Sequence, residues 1–163
     1  MQYRIIGFTG TREGLTEQQV ETLKMLLETY GKGTIFHHGC CEGADKEANS
    51  LANWFEFRVV EHPGHASGKK TCTIDPSPLS SATWLPKFYL KRNQDIVDCC
   101  QILIATPKGY EEEQRSGTWA TIRYAVNVRK EVTVIWPDGK YESIVTLPLT
   151  VNREVKELSR KVK

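Results

Sequence analysis

"YRIIGFTGTREGLTEQQVETLKMLLETYG", residues 3–31, holds one complete repeat of the pattern that decides the fold. It opens with an apolar, β-branched run, Tyr3 to Phe8. A polar loop carrying two glycines follows. Then Val20, Leu23, Leu27 and Tyr30 recur at helical spacing. Thr16 and Gln19 have the spacing of a capping box, and Gly31 is placed to stop the helix. Strand, loop and amphipathic helix are therefore readable in under thirty residues.

The same alternation continues along the chain. "TIFHHG" (34–39) reads as a second strand, and "ADKEANSLANWF" (44–55) as a helix with Ala44, Ala48, Leu51 and Phe55 on one stripe. "EFRVVEH" (56–62) reads as a third strand. A stretch rich in Gly, Ser, Thr and Pro runs from 63 to 86, and a loop of that length is expected to act as a lid or to be disordered. "PKFYLKRNQDIVDCC" (86–100) predicts a third helix opened by Pro86, with Leu85, Phe88 or Tyr89, Ile96 and Cys99 or Cys100 on its apolar stripe. "QILIATP" (101–107) is a fourth strand, "TWATIRYAVNVRK" (118–130) a fourth helix, and "EVTVIWP" (131–137) a fifth strand. "YESIVTLPLTV" fits an edge strand or a loop, and "REVKELSRKVK" a short basic helix.

Apolar strands alternating with helices predict a parallel sheet covered on both faces. The fold class expected is α/β: a Rossmann-like, doubly wound parallel sheet in a three-layer α/β/α arrangement, as a single domain. At 163 residues the chain is long enough to bury a core, and it shows no internal repeat or linker. A net charge of +2 is small for a nucleic-acid binder. No apolar run is long enough to span a bilayer, and the first residues read as a strand rather than a signal peptide. Five cysteines, four of them in adjacent pairs, make a poor disulfide framework; they read as free thiols in a reducing cytoplasm.

In a doubly wound sheet, ligands sit past the carboxyl ends of the strands, where strand order reverses. The unusual residues fall there. "TGTR" after the first strand offers the Thr9 and Thr11 hydroxyls, a close approach at Gly10, and the Arg12 fork for phosphate or carboxylate. A surface loop is the plainer account of it. "RSGTWAT" (115–121) combines Ser116 and Thr118 as possible caps with Gly117 clearing the way to a helix N-terminus, an arrangement suited to an anion and also to a simple N-cap. In "HHGCCEGAD" (37–45), Gly39 and Gly43 suit a loop passing close to a ligand. Asp45 there can cap a helix or bind a ribose hydroxyl.

Arg92 falls within the apolar stripe of the third helix, outside which lie Lys91, Gln94, Asp95 and Asp98. An arginine so placed either snorkels out or meets an anion. "EEE" (111–113) reads as a solvated run, with a catalytic carboxylate as the alternative. His37, His38, Cys40, Cys41, His62 and His65 match no zinc spacing, and adjacent residues of a strand point apart; no metal is expected.

"IIGFTGTREGLT" (5–16), "HHGCCEGADKEANSLA" (37–52), "KRNQDIVDCCQILIATP" (91–107) and "RSGTWATIRYA" (115–125) together resemble the SLOG superfamily of Rossmann-like proteins. That superfamily includes the lonely-guy phosphoribohydrolases and the DNA-processing protein A family. The nearest likeness is to its small standalone branch. The resemblance covers residues 3–139. It implies a nucleotide-binding domain over 1–140 with 141–163 as its C-terminal extension, a nucleotide or nucleotide-derived ligand, no further cofactor, and a homo-oligomer.

In lonely-guy enzymes a glutamate three residues after the phosphate-loop threonine helps cleave the base–ribose bond. Gly117 and Thr118 keep the loop here, but that position is Thr121. A family arginine matches Arg92. The expected site therefore has Arg92 and Asp45 as catalytic candidates. Ligand binding is expected at Thr9, Gly10, Thr11, Arg12, Gly39, Gly43, His62, Asn93, Ser116, Gly117 and Thr118. The phosphate would lie between 9–12 and 116–118, the sugar near 39–45, and the base under the loop 63–86. Hydrolysis of a nucleoside monophosphate, binding without catalysis as a sensor or interaction domain, and a single-stranded DNA-binding role through Trp84, Phe88, Tyr89, Lys87, Lys91 and Arg92 all remain open at this point.

Overall fold

The computed structural model describes residues 4–66, 69–71 and 80–145. In chain order its elements are β1 (Ile5–Gly10), α1 (Glu17–Glu28), β2 (Ile35–His38), α2 (Ala44–Trp54), β3 (Arg58–Glu61), β4 (Gly64–Ala66), β5 (Lys69–Thr71), β6 (Ser80–Thr83), β7 (Lys87–Phe88), α3 (Tyr89–Cys99), β8 (Ile102–Thr106), α4 (Gly117–Asn127), β9 (Glu131–Ile135) and β10 (Tyr141–Ile144). The main sheet has seven strands in the order β10-β9-β8-β1-β2-β3-β6. All neighbours are parallel except the edge pair β10–β9. The chain moves outward from β1 to β3 on one side, then returns to β8 and moves outward on the other. Strand order therefore reverses between β1 and β8, and the sheet is doubly wound as expected.

Two cores explain the alternating side chains. Ile6 and Phe8 of β1 pack with Phe36 of β2, Leu23 and Leu27 of α1, and Ala44, Ala48 and Ala52 of α2. On the other face, Leu103 and Ala105 of β8 meet Val97 of α3 and Trp119, Ile122 and Ala125 of α4. Phe8 and Phe36 stack with centroids 5.8 Å apart. Full burial of each such side chain stabilises by about 1.5–3 kcal/mol.

The capping box forms: the Gln19 N–H donates to Thr16 Oγ1 and the Thr16 N–H to Gln19 Oε1. The buried Gln19 amide also donates to the carbonyls of Pro107 and Ile135, both at 3.0 Å, tying α1 to the ends of β8 and β9. Gly31 is not the left-handed stop; α1 closes at Thr29, and the positive φ belongs to Gly33.

Two sequence expectations are corrected. Within the described residues, 63–86 is not irregular loop: β4, β5 and β6 lie there, β6 extending the main sheet beside β3, while β5-β4-β7 form a small separate sheet. The rest of that stretch (67–68 and 72–79), the basic tail and most of "YESIVTLPLTV" lie outside the described residues. Helix α3 starts at Tyr89, not Pro86, because Lys87 and Phe88 pair with β4. Its inner stripe consequently lacks Leu85 and Phe88, which are exposed, and includes Asp95, which is buried. Residues 141–144 settle as the antiparallel edge strand. Cys40, Cys41, Cys99 and Cys100 are free thiols, and no helix among the described residues is long and apolar enough to cross a membrane.

Candidate functional site

At the reversal point, the loops after β1, β2 and β8 and the start of α4 enclose a cleft of about 450 Å³. Eleven of the thirteen residues singled out in the sequence line it: Thr9, Gly10, Thr11, Arg12, Gly39, Asp45, Arg92, Asn93, Ser116, Gly117 and Thr118. Gly43 and His62 do not. Gly43 packs against the backbone of the β1 loop, where a Cβ would lie 2.3 Å from the Arg12 carbonyl oxygen. His62 turns its buried ring away and presents its carbonyl to Arg92 instead.

The wall at α4 is an open helix start. Ser116 is the N-cap, its Oγ accepting from the Trp119 N–H at 3.3 Å. The N–H groups of Gly117 and Thr118 have no intrahelical acceptor. A Cβ on Gly117 would meet nothing nearer than Asn93 Nδ2 at 4.0 Å, so this glycine leaves space. Gly10 and Gly39 are glycines for another reason. A Cβ on Gly10 would strike Thr106 Oγ1 at 2.3 Å and Ala44 Cβ at 2.5 Å. On Gly39 it would strike Arg92 Nη1 at 2.7 Å.

Arg92 is the centre of the inner wall and is 5% exposed. Its Nη1 donates to the Gly39 carbonyl and, at 3.0 Å, to the His62 carbonyl. Nε donates to Asn93 Oδ1 at 2.8 Å, and Nη2 to Cys41 Sγ at 3.4 Å. The guanidinium thus holds the β2 and β3 loops together, rather than standing free for a ligand anion. The Tyr89 ring, one turn earlier, lies 5.4 Å from Arg92 Cζ and 5.3 Å from Arg12 Cζ.

Asp45 folds back onto its own loop: Oδ2 accepts from the N–H groups of Gly39 and Cys41, both at 3.1 Å. Burial pushes its carboxyl up to about 6, against those two N–H bonds and the nearby Arg92 charge. Burial and the Asp45 charge raise the Cys41 thiol as well, which keeps it a poor nucleophile. Behind this wall, burial holds His37, His38 and His62 down to about 4, 4 and 3, so all three are neutral at physiological pH.

The outer rim carries Arg12, Lys108 and Arg115 together with Glu13 and Glu113. Lys108 bridges Glu13 and Glu113, each at 3.6 Å, across the loops after β1 and β8. Arg12 and Arg115 make no ion pair among the described residues. Thr121 occupies the position where the resemblance would put a glutamate, and its hydroxyl donates to the Gly117 carbonyl at 2.8 Å. Of the 111–113 run, only Glu113 reaches the cleft; Glu112 pairs with Arg123 at 2.6 Å.

The chain superposes on known solved structures. The fold they share with it is Rossmann-like. The molybdenum cofactor binding protein of the phototrophic bacterium Rippkaea orientalis superposes with a TM-score of 0.61 at 20% identity, over 98% of this chain and 86% of that one. DNA processing protein A from Streptococcus pneumoniae superposes at 0.56 and 14% identity, over 98% of this chain and 56% of that chain. For the Helicobacter pylori DNA processing protein A, studied for its single-stranded DNA binding mode, the values are 0.52 and 15%, over 98% of this chain and 73% of that one. At these identities the likeness is one of fold. No family model matches the chain, and no curated protein matches it.

Sequence reasoning missed Tyr89, Cys41, Lys108 and Arg115 as residues of this cleft. Arg115 directly precedes the "SGT" stretch and Tyr89 sits three residues before Arg92 on one helix, so both carried a usable signal. Cys41 and Lys108 carried none beyond lying in the right loops.

Proposed function

We propose that the protein binds a nucleotide or nucleotide-derived ligand through its phosphate, in the cleft between β1 and β8. The observation that carries this reading is the open start of α4 in one cleft with Arg12 and Arg115, which make no ion pair among the described residues. The Gly117 and Thr118 N–H groups and the helix dipole favour an anion there, and Arg12 and Arg115 add planar charge at the rim. The volume of about 450 Å³ suits a small molecule. The binding named for the Rippkaea orientalis protein supports a small-molecule occupant and makes that cofactor worth testing.

Binding is the broader statement, and N-glycosidic cleavage the narrower one. Cleavage needs a carboxylate beside the reacting carbon. Thr121 cannot supply it. Asp45, protonated up to about pH 6, is the group on the inner wall able to donate a proton.

The test is equilibrium retention of each nucleoside 5′-monophosphate by the protein, with chromatography of the same samples for free base. Retention is expected, weakened at least about tenfold by Arg12→Ala. Failure to retain any phosphorylated ligand refutes the reading. Free base that disappears with Asp45→Asn would establish cleavage.

A single-stranded DNA role is favoured by one observation, the exposed Trp84, Phe88 and Leu90 beside Lys87 and Lys91. Asp95 engages both lysines, at 2.6 and 3.5 Å, which lowers the charge this patch offers a phosphate backbone. Salt-sensitive oligonucleotide binding lost in Trp84→Ala would support that role instead.

A further inference from the structure

Behind Arg92, on the face of the sheet covered by α3, three side chains that bind metals converge from separate elements. His37 lies on β2, His62 follows β3, and Cys99 is the last residue of α3. One ring nitrogen from each histidine and the Cys99 Sγ all lie within 4.8 Å of one another. His37 Nδ1 and His62 Nε2 stand 2.8 Å apart, with ring centroids at 5.1 Å. Both histidines are buried, whereas Cys99 is partly open to solvent. None of the three lines the cleft.

We propose that His37, His62 and Cys99 form a binding site for a borderline-soft divalent cation, with zinc(II) the best fit. Two imidazoles and a thiolate select such ions over magnesium or calcium, and three protein ligands leave a fourth position for water. The surroundings are those of a supported site. The Trp84 ring rests on His62 with centroids 4.5 Å apart and fixes its plane. Asp95, one turn before Cys99, adds a buried carboxylate next to the ligands, itself held by Lys87 and Lys91. The thiolate and this carboxylate offset the adverse charge of Arg92.

Tetrahedral coordination at ordinary zinc–nitrogen distances separates two imidazole nitrogens by roughly 3.3 Å, so the facing rings must part by about half an ångström. The Cys99 thiol gives its proton to solvent. The hydrogen shared between the rings moves to the other nitrogen of one of them, so no further proton is lost.

The experiment is a cobalt(II) titration of the full chain, purified with chelator and kept reduced, followed by zinc(II) competition. One equivalent is expected to give the visible ligand-field bands of a tetrahedral ion and a near-ultraviolet thiolate charge-transfer band, both erased by zinc. Cys99→Ser should abolish the charge-transfer band and weaken binding at least about tenfold, and His37→Gln should weaken binding likewise. Cys41→Ser should leave the spectrum unchanged. A chain that gives no tetrahedral spectrum, or whose charge-transfer band survives Cys99→Ser, overturns the proposal. Cys99 is partly exposed, and a thermal melt of Cys99→Ser and Cys99→Ala shows that each is folded. The outcome is independent of the cleft, because nucleotide retention is measured without the metal.

Discussion

Replacing Asp45 with asparagine should stabilise the protein at neutral pH and leave it nearly unchanged in mild acid. The carboxyl is raised from 3.8 to about 6 by burial. A raised folded value means that the native state holds the proton more tightly than the open chain does. The resulting stability is fully present below 3.8 and is lost as pH rises through about 6. Ionised Asp45 therefore costs about 3 kcal/mol at pH 7, and only about 0.5 kcal/mol near pH 4. Asparagine resembles the protonated acid. Because Gly39 and Cys41 both donate to the single oxygen Oδ2, an amide oxygen in that place can keep both bonds. The assay is urea denaturation of wild type and Asp45→Asn at closely spaced pH values between about 4 and 7. The two stabilities should diverge over that window, the variant becoming the more stable by up to about 3 kcal/mol. A difference that stays flat with pH, or a variant less stable than wild type at pH 7, would refute the reasoning.

Gly117→Leu should fill the space over the α4 N-terminus, cutting retention of phosphorylated ligands by at least about tenfold while the melting temperature moves little, as calorimetry and equilibrium dialysis would show. Arg92→Met should cost about 2–4 kcal/mol in denaturant unfolding, because the Gly39 and His62 carbonyls lose their buried donor; a neutral result would mean that water or a neighbour replaces it. Gly10→Ala should cost about 1–3 kcal/mol whether or not ligand is present, because the new methyl meets Thr106 and Ala44; a variant as stable as wild type would show that β8 and α2 can give way.

The repeating strand–helix pattern was legible because both cores take their side chains at regular spacing from long elements. Leu103 and Ala105 on one face, and Leu23, Leu27 and Phe36 on the other, lie in the runs and stripes that the sequence displays. The cleft was legible for a topological reason: once β1 and β8 are neighbours, the loops that follow them must meet. The strands between 63 and 88 were not, since runs of two to four residues carry no period and their partners are remote. β6 is in the sheet because Ser80 aligns with Val59, a pairing that nothing local foretells. Arg92 is readable as lying on the inner face of its helix, with solvent or an anion as the expected partner, but the Gly39 and His62 carbonyls that hold its Nη1 are not something a sequence displays. The meeting of His37, His62 and Cys99 was hidden in the same way. Adjacent residues on a strand do diverge, but one member of the His37–His38 pair and one of the Cys99–Cys100 pair turn toward the same point.

The crowding at Gly10 and Gly39 bears on how such chains are read. Both positions are emptied by neighbours inside the scaffold, Thr106 and Ala44 at one and the Arg92 guanidinium at the other. A chain built on this plan could exchange its cargo, or abandon cargo altogether, and a side chain at either place would still have to displace those neighbours. The glycine lettering is thus a signature of carpentry. Gly117 is the contrary case, because among the described residues a Cβ there would meet nothing nearer than Asn93 Nδ2 at 4.0 Å.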